Sequence, residues 1–385
     1  MKILIVLTYY RPHISGLTIY AERLATAFAA RGHEVTVFTS QFKKELPREE
    51  IKDGVKIIRA PVWFRLSKGV IMPTFGFQAN KLVAQADAIQ LHLPQFDAAG
   101  ISLRGRLLKK PTVITYHCDL HLPPGLFNRL ANMGVVFMNR LTALFTHRIV
   151  TYTQDYAENS PYLNQYLNKL KIIPPPVVLP TVSKAAVEQF ANENNPQNRH
   201  PVIGMATRFA TEKGVEILLR ALPKILEVYP NALVQFVGTY QKVLGEESYF
   251  ERLRPEIEKY EASGNWQFLG ELNPERMAMF YPNLDVLTVP SLNSTEAFGL
   301  VQIEAMMNGV PCVTSSLPGV RQPVRVHQMG EIFPIGDSDA LAEKMITVLG
   351  NRNEINKGLR DFSSYQPDSI AQAYEVLFNN IKQSL

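Results

Sequence analysis

"KILIVLT" (Lys2–Thr8), "LTIYAERLATAFAARG" (Leu17–Gly32) and "EVTVFTS" (Glu34–Ser40) follow one another at the start of the chain. The first and third are short apolar, β-branched runs that read as buried strands. Between them lies an apolar stripe at helical spacing, closed by Gly32, a residue that easily takes the left-handed conformation that ends a helix. Strands without polar alternation, separated by helices, argue for a parallel sheet covered on both faces. The pattern continues through "VKIIRA", "AIQLHL", "TVITYH" and "HRIVTYT" until Pro174, Pro175 and Pro176 interrupt it. A fresh series then begins: "PVIGMATR", "ALVQFVG", "WQFLG", "DVLTVPS", "VPCVTSS" and "EIFPI". The expected fold is α/β, with two doubly wound domains in tandem facing a cleft and ligands at the carboxyl ends of strands. The expected boundaries are residues 1–178, residues 179–365 and a closing helix over 366–385 that packs back towards the first domain. "AVEQFANENNPQNRH" (Ala186–His200) reads as a polar, exposed connection.

At 385 residues the chain exceeds one ordinary core, and its 46% hydrophobic and 19% charged content is that of a globular protein. Only Cys118 and Cys312 occur, and the opening lacks the charged and apolar regions of a secretory leader, so a cytoplasmic location is expected. Apolar runs fall short of the roughly 20 residues that a membrane span needs. Charge is unevenly shared. Residues 1–180 hold 22 Lys and Arg against 11 Asp and Glu, whereas the remainder holds 18 against 24. A basic first half favours an anionic partner there. "LPPGLFNRLANMGVVFMNRLTALFTHR" (Leu122–Arg148), apolar with scattered arginines, suits either a core helix or one lying on the inner face of a membrane.

The stretch "STEAFGLVQIEAMMNG" (Ser294–Gly309) carries Glu296 and Glu304 eight positions apart. On one uniform helix they would be about 80° apart in azimuth and about 12 Å apart along the axis, which makes no pair. A better parse has "STEAFG" as a loop, with the helix starting near Gly299 and stopping at Gly309. The backbone N–H groups of Phe298, Gly299 and Leu300 then lie between the two carboxylates at the positive end of a helix, where an anion binds. Acceptors flanking an anion site suit a ligand with phosphate in the middle and hydroxyls at both ends, such as a nucleotide sugar. Arg208 follows a strand and Lys213 with Gly214 precedes a helix, so two cations are available to a pyrophosphate. Gly16 opens the first helix, and its backbone could approach a phosphate or sugar. Neither G-x-G-x-x-G nor G-x-x-x-x-G-K occurs, which counts against a dehydrogenase or a nucleoside triphosphatase. His117 ends a strand, where ligands sit, although a lone histidine is more often structural. Asp337-Ser338-Asp339 has the form of a metal-binding D-x-D, but its place before an apolar helix makes it an N-cap. No His, Cys or Glu cluster has metal-ligand spacing. Neither metal nor other cofactor is expected.

Together "RFATEKG", "VGTYQ", "LGEL", "PSLNSTEAFGLVQIEAMMNGVPCVTSS", "TYH" and the loop at Gly16 resemble the retaining glycosyltransferases of family 4, with the GT-B fold of two Rossmann-like domains. The resemblance spans nearly the whole chain and is strongest from Gly204 to Ser316. It implies a metal-independent hexosyltransferase of bacterial envelope or exopolysaccharide biosynthesis. Arg208 and Lys213 would hold the donor diphosphate, Glu304 the ribose and Glu296 the sugar hydroxyls. Phe298, Gly299 and Leu300 would offer N–H groups, Leu272 would lie near the base, His117 beside the reacting sugar and Gly16 against the donor. Ser15 stands where many members have a second glycine. Family frequency makes UDP-glucose the expected donor, and the acceptor is expected to be a saccharide or lipid-linked saccharide, not nucleic acid. Two further readings remain at this stage: a related epimerase or phosphorylase, and a nucleotide-sugar-binding partner of a polysaccharide assembly without turnover.

Overall fold

The strand Lys2–Val6 lies inside an eight-stranded sheet whose order runs Leu170–Ile172, Arg148–Thr151, Thr112–Tyr116, Ala88–Leu93, Lys2–Val6, Glu34–Gln41, Val55–Pro61, Glu49–Lys52. All pairings are parallel except the last, which is antiparallel. This computed structural model describes residues 1–66, 69–120, 126–355 and 360–385. A second sheet is wholly parallel, in the order Trp266–Gly270, Leu233–Val237, Val202–Ala206, Val286–Val289, Cys312–Ser315, Gly330–Phe333. The chain divides into one unit of Met1–Val177 with Ser363–Leu385 and another of Val178–Phe362. In both sheets the strand that opens its series lies inside the sheet, with its first successors on one side and the later strands on the other. That reversal creates a crevice at the strand's carboxyl end, where open α/β sheets bind ligands.

Local chemistry explains the first helix, Gly16–Ala30. Ser15 accepts from the Thr18 N–H while the Thr18 hydroxyl receives the Ser15 N–H, a reciprocal capping box. Tyr20, Leu24 and Phe28 form its buried stripe, and Gly32 follows the C-terminus at φ +82°. In the second unit Val215–Val228 packs against Ser338–Gly350 over Val215, Leu218, Leu222, Leu341 and Met345. Asp337 caps the latter helix by accepting from the Ala340 N–H at 2.9 Å.

"AVEQFANENNPQNRH" needs correcting. Its first part belongs to a helix, Lys184–Asn194, and only the remainder is a connection. Ser183 caps it through the Ala186 N–H, and Phe190 is buried under the guanidinium of Arg276 at 5.1 Å. Val187 and Phe190, three residues apart, supply the apolar contact that its many polar residues concealed. An antiparallel pair, Phe64–Leu66 with Gly69–Ile71, is also present beyond the expected strands.

The closing helix, Pro367–Gln383, packs on Gly16–Ala30 within the N-terminal unit. Tyr374 is fully buried, its hydroxyl 2.9 Å from the Tyr20 hydroxyl and 2.7 Å from Thr115 Oγ1. Arg31 grips Glu375 through Nε and Nη2 at 2.6 and 2.9 Å, and His33 Nε2 lies 2.7 Å from the same carboxylate. These bonds, Arg31's first, hold the Glu375 carboxyl below the usual range. Replacing Tyr374 with Phe leaves the Tyr20 and Thr115 hydroxyls facing a carbon edge, with an expected cost of about 1–3 kcal/mol. Urea unfolding of Y374F should show a lower midpoint for the N-terminal unit; an unchanged midpoint contradicts the role given to this hydroxyl.

Candidate active site

The donor-side candidates gather at the carboxyl end of Val202–Ala206, the strand about which the second sheet reverses. Two segments meet there, Thr207–Gly214 and Pro290–Gly299. Gly214 lets them meet: its φ is +70°, and a Cβ on it would stand 2.1 Å from the carbonyl oxygen of Pro290. Every larger residue is excluded by contact and by conformation together. The Leu292 N–H donates to the Glu212 carbonyl at 2.9 Å and closes the junction.

Docked this way, Lys213 donates from Nζ to Glu296 Oε2 at 2.7 Å. Glu296 Oε1 accepts from the Gly299 N–H at 3.0 Å. Gly299 has φ +77° and precedes the helix Leu300–Met307, which ends through Asn308 into Gly309 at φ +73°. The loop-then-helix parse therefore describes the segment well. Burial acts to raise the Glu296 pKa, but the Lys213 charge and hydrogen bond, with the Gly299 and Phe298 N–H groups, outweigh it and hold the carboxyl below its usual range. Two of the three amides expected to face an anion thus already face one, supplied by the protein.

Arg208 extends from the same strand end, its side chain 42% exposed, and pairs with Glu212. Glu304 is buried one turn inside the helix, where Tyr281 donates its hydroxyl to Oε2 at 2.6 Å. Phe298 is buried and Leu300 partly so. Gln302 donates from Nε2 to the carbonyls of Phe298 at 3.0 Å and Val320 at 2.9 Å, which fixes the helix entrance. Leu272 is half-buried on the loop after Trp266–Gly270. Tyr281 and Gln302 were missed in the sequence because nothing in their spacing marks them; their part is to orient groups that are themselves marked.

His117 and Gly16 belong to the N-terminal unit. A Cβ on Gly16 would meet no atom within 4 Å, so the unit's own packing does not demand glycine there. Ser15, in place of a second glycine, has the definite task of capping the helix. His117 follows Thr112–Tyr116 and is buried, with Nε2 2.7 Å from His92 Nδ1 and Nδ1 hydrogen-bonded to the Tyr152 hydroxyl. Both ring nitrogens are engaged. Burial, then the neighbouring His92, push the His117 pKa well below its ordinary value, and burial takes His92 down to about 3. The pair is neutral near pH 7. His92 sits near the carboxyl end of the adjacent strand, so the strand-end reasoning that picks out His117 could have found it. Asp119 accepts from the Tyr116 hydroxyl at 2.9 Å and from Ser160 at 2.7 Å, a structural role. Among the described residues no three His, Cys, Asp or Glu side chains converge as a metal site would require.

Residues 14–179 match the family described as Glycosyltransferase Family 4, and residues 187–365 match Glycosyl transferases group 1. An uncharacterised glycosyltransferase of Methanocaldococcus jannaschii is 26% identical, over 97% of this chain and 96% of that protein. The phosphatidyl-myo-inositol mannosyltransferase of Mycobacterium leprae is 25% identical over 87% of this chain and 84% of its own. Among solved structures, Anabaena HepE in complex with UDP-glucose superposes with a TM-score of 0.73 at 18% identity, covering 100% of this chain and 99% of that one.

Two outcomes are expected. Gly214→Ala should destabilise the second unit by about 1 kcal/mol or more through the left-handed conformation and the Pro290 contact, read as a lower thermal midpoint. A midpoint within error of wild type contradicts this account of the junction. Because the Glu296 carboxyl is held below its usual range, the stability it adds is complete above the unfolded glutamate pKa of about 4.3 and is lost as pH falls through the folded value. The stability gap between wild type and Glu296→Gln, measured by urea unfolding, should therefore narrow below about pH 4. A gap constant from neutral to acid pH contradicts the assigned pairing.

Proposed function

The chain belongs to glycosyltransferase family 4 and is a glycosyltransferase of GT-B fold, and from that premise we propose that it transfers a hexosyl group from a nucleoside-diphosphate sugar with retention of configuration. The observation that supports this most is the convergence of Lys213, Arg208 and the amide-lined entrance of Leu300–Met307 on one strand end. In the proposed reaction an acceptor hydroxyl oxygen bonds to the sugar C1 while the bond from C1 to the donor phosphate breaks on the same face. The departing phosphate oxygen takes the acceptor's proton. Negative charge grows on that leaving group, and Arg208 and Lys213 are the groups that stabilise it, in the place a metal takes elsewhere. Glu304, oriented by Tyr281, holds the ribose hydroxyls, with Leu272 near the base. Glu296, with Phe298, Gly299 and Leu300 around it, positions the transferred sugar. Within the first domain, His117, its ring set by His92 and Tyr152, and the Gly16 loop are the proposed sugar-facing groups.

The donor proposed first is UDP-glucose, which rests on its frequency in the family; HepE, bound to the same compound, shares the fold. A lipid-linked saccharide is the proposed acceptor. The M. leprae relative acts, by its name, on phosphatidyl-myo-inositol. Here the first half is basic, and the helix Leu126–Phe145 exposes Met133, Phe137 and Leu144. None of the described helices is long and apolar enough to cross a membrane.

A panel of UDP-, GDP- and ADP-sugars with a membrane extract as acceptor source, in the presence of EDTA, tests the reading. One donor should be consumed and its sugar transferred with the anomeric configuration kept. Arg208→Ala, Lys213→Ala and Glu296→Ala should each lower the rate by about 10²–10³-fold with the fold intact. Near-normal rates in all three, or inversion at C1, would sink the mechanism.

A further inference from the structure

The N-terminal unit holds a concentration of positive charge at the end of its own sheet opposite His117. Thr112–Tyr116, Arg148–Thr151 and Leu170–Ile172 are parallel, and their amino ends open onto a cavity of about 540 Å³ lined by Arg106, His147, Arg148, Lys169 and Lys171. This is the opposite edge of the sheet from His117 and Gly16. No Asp or Glu side chain is on the lining. Arg148 donates only to the neighbouring His147 carbonyl, and Arg106 and Lys171 take part in none of the ion pairs among the described residues.

Lys169 and His147 differ from their neighbours in being fixed. Lys169 donates from Nζ to the carbonyls of Ala143, Thr146 and Leu144 at 2.8, 3.2 and 3.3 Å, closing the end of Leu126–Phe145. Its ammonium is pushed below the ordinary lysine value by burial and by the Arg106 and Arg148 charges. His147 is only 9% exposed, and its Nδ1 accepts the Thr112 N–H at 3.1 Å. In the neutral ring that bond places the hydrogen on Nε2, and Nε2 is buried with no hydrogen-bond partner. A buried donor without an acceptor is costly, and it sits here among four cations that repel one another. One anion would accept from His147 and offset the charge of the cations around it.

We infer that this cavity binds a phosphate group, with His147 Nε2 as the buried donor and Arg106, Arg148 and Lys171 as the charge partners. The phosphate can be free or the headgroup of a lipid. Leu144 on the lining is exposed, as are Leu107 and Ile172, which follow Arg106 and Lys171 in the chain, and such apolar surface suits the acyl chains of a lipid source. The site is independent of the donor-binding reading, because no residue is shared.

Arg148→Ser/Lys171→Ser removes two cations that form no ion pair among the described residues, leaving Lys169 and His147 in place so that the fold is kept. Calorimetry of the full chain with inorganic phosphate, at constant ionic strength, tests the free source. Co-sedimentation with phosphatidylcholine vesicles, with and without phosphatidic acid, tests the lipid source. The expected result is saturable binding of at least one probe, weakened about 10-fold or more in the double variant, since each lost contact is charge-assisted. Binding of phosphate in solution assigns a free anion, and binding of phosphatidic acid vesicles alone assigns a lipid headgroup. Leu385 also lines the cavity. Absence of saturable binding of both probes, or equal binding by wild type and double variant, overturns the proposal.

Discussion

The ion pair between Lys213 and Glu296 depends on a backbone junction that glycine alone permits, and the candidate site of the second unit is organised around it. Gly214 brings the two loops to contact distance, and Gly299 turns the chain so that its N–H reaches Glu296 as the helix begins. The consequence is an entrance at which charge is already balanced. Lys213 has Glu296, Arg208 has Glu212, and the helix amides have the Glu296 carboxylate. A diphosphate entering it would compete with protein carboxylates for the same cations, and releasing Glu296 from Lys213 would free that carboxylate to receive sugar hydroxyls. On the proposed reading, one exchange of partners prepares both ends of the donor.

The N-terminal unit uses the same topology for a different balance. Its reversal point is occupied by aromatic and imidazole groups in place of ion pairs. Tyr20 lies edge-on to His117 at 5.1 Å, and His92 stacks on it at 5.0 Å, so the ring is immobilised without a charge nearby. A neutral, rigid histidine suits a wall against which a sugar is placed. It does not suit a proton carrier at neutral pH, and the proposed reaction asks none of it. Tyr374 of the closing helix supports this region from behind through Tyr20 and Thr115, so the last helix contributes to the rigidity of the first unit's ligand edge.

Legibility in the sequence followed how local each cause was. The parallel strands were plain because burial on both faces removes polar alternation. The break in Ser294–Gly309 was also readable, since helix geometry rules out a paired role for two glutamates eight positions apart. The helix Lys184–Asn194 was lost because a single buried aromatic, Phe190, provides most of its anchoring among polar residues. Tyr281 was invisible because its importance comes from the carboxylate it touches across space. The internal pairing of Glu296 with Lys213, separated by 83 positions, could not be read either. Each was marked for a ligand, and only the fold shows that they mark each other.

Calorimetric titration of UDP into the wild type, Lys213→Met and Glu296→Gln tests the central claim most directly, because it reads the cation's preference without requiring an acceptor. If the diphosphate takes Lys213 from Glu296, Lys213→Met should weaken binding by about 10–100-fold, the worth of one or two charge-assisted bonds. Glu296→Gln should bind UDP as tightly as wild type or more so, since its competitor for the ammonium is gone. Equal losses in both variants would mean that the pair is a structural brace that the ligand never opens, and tight binding by Lys213→Met would remove the lysine from the donor site altogether.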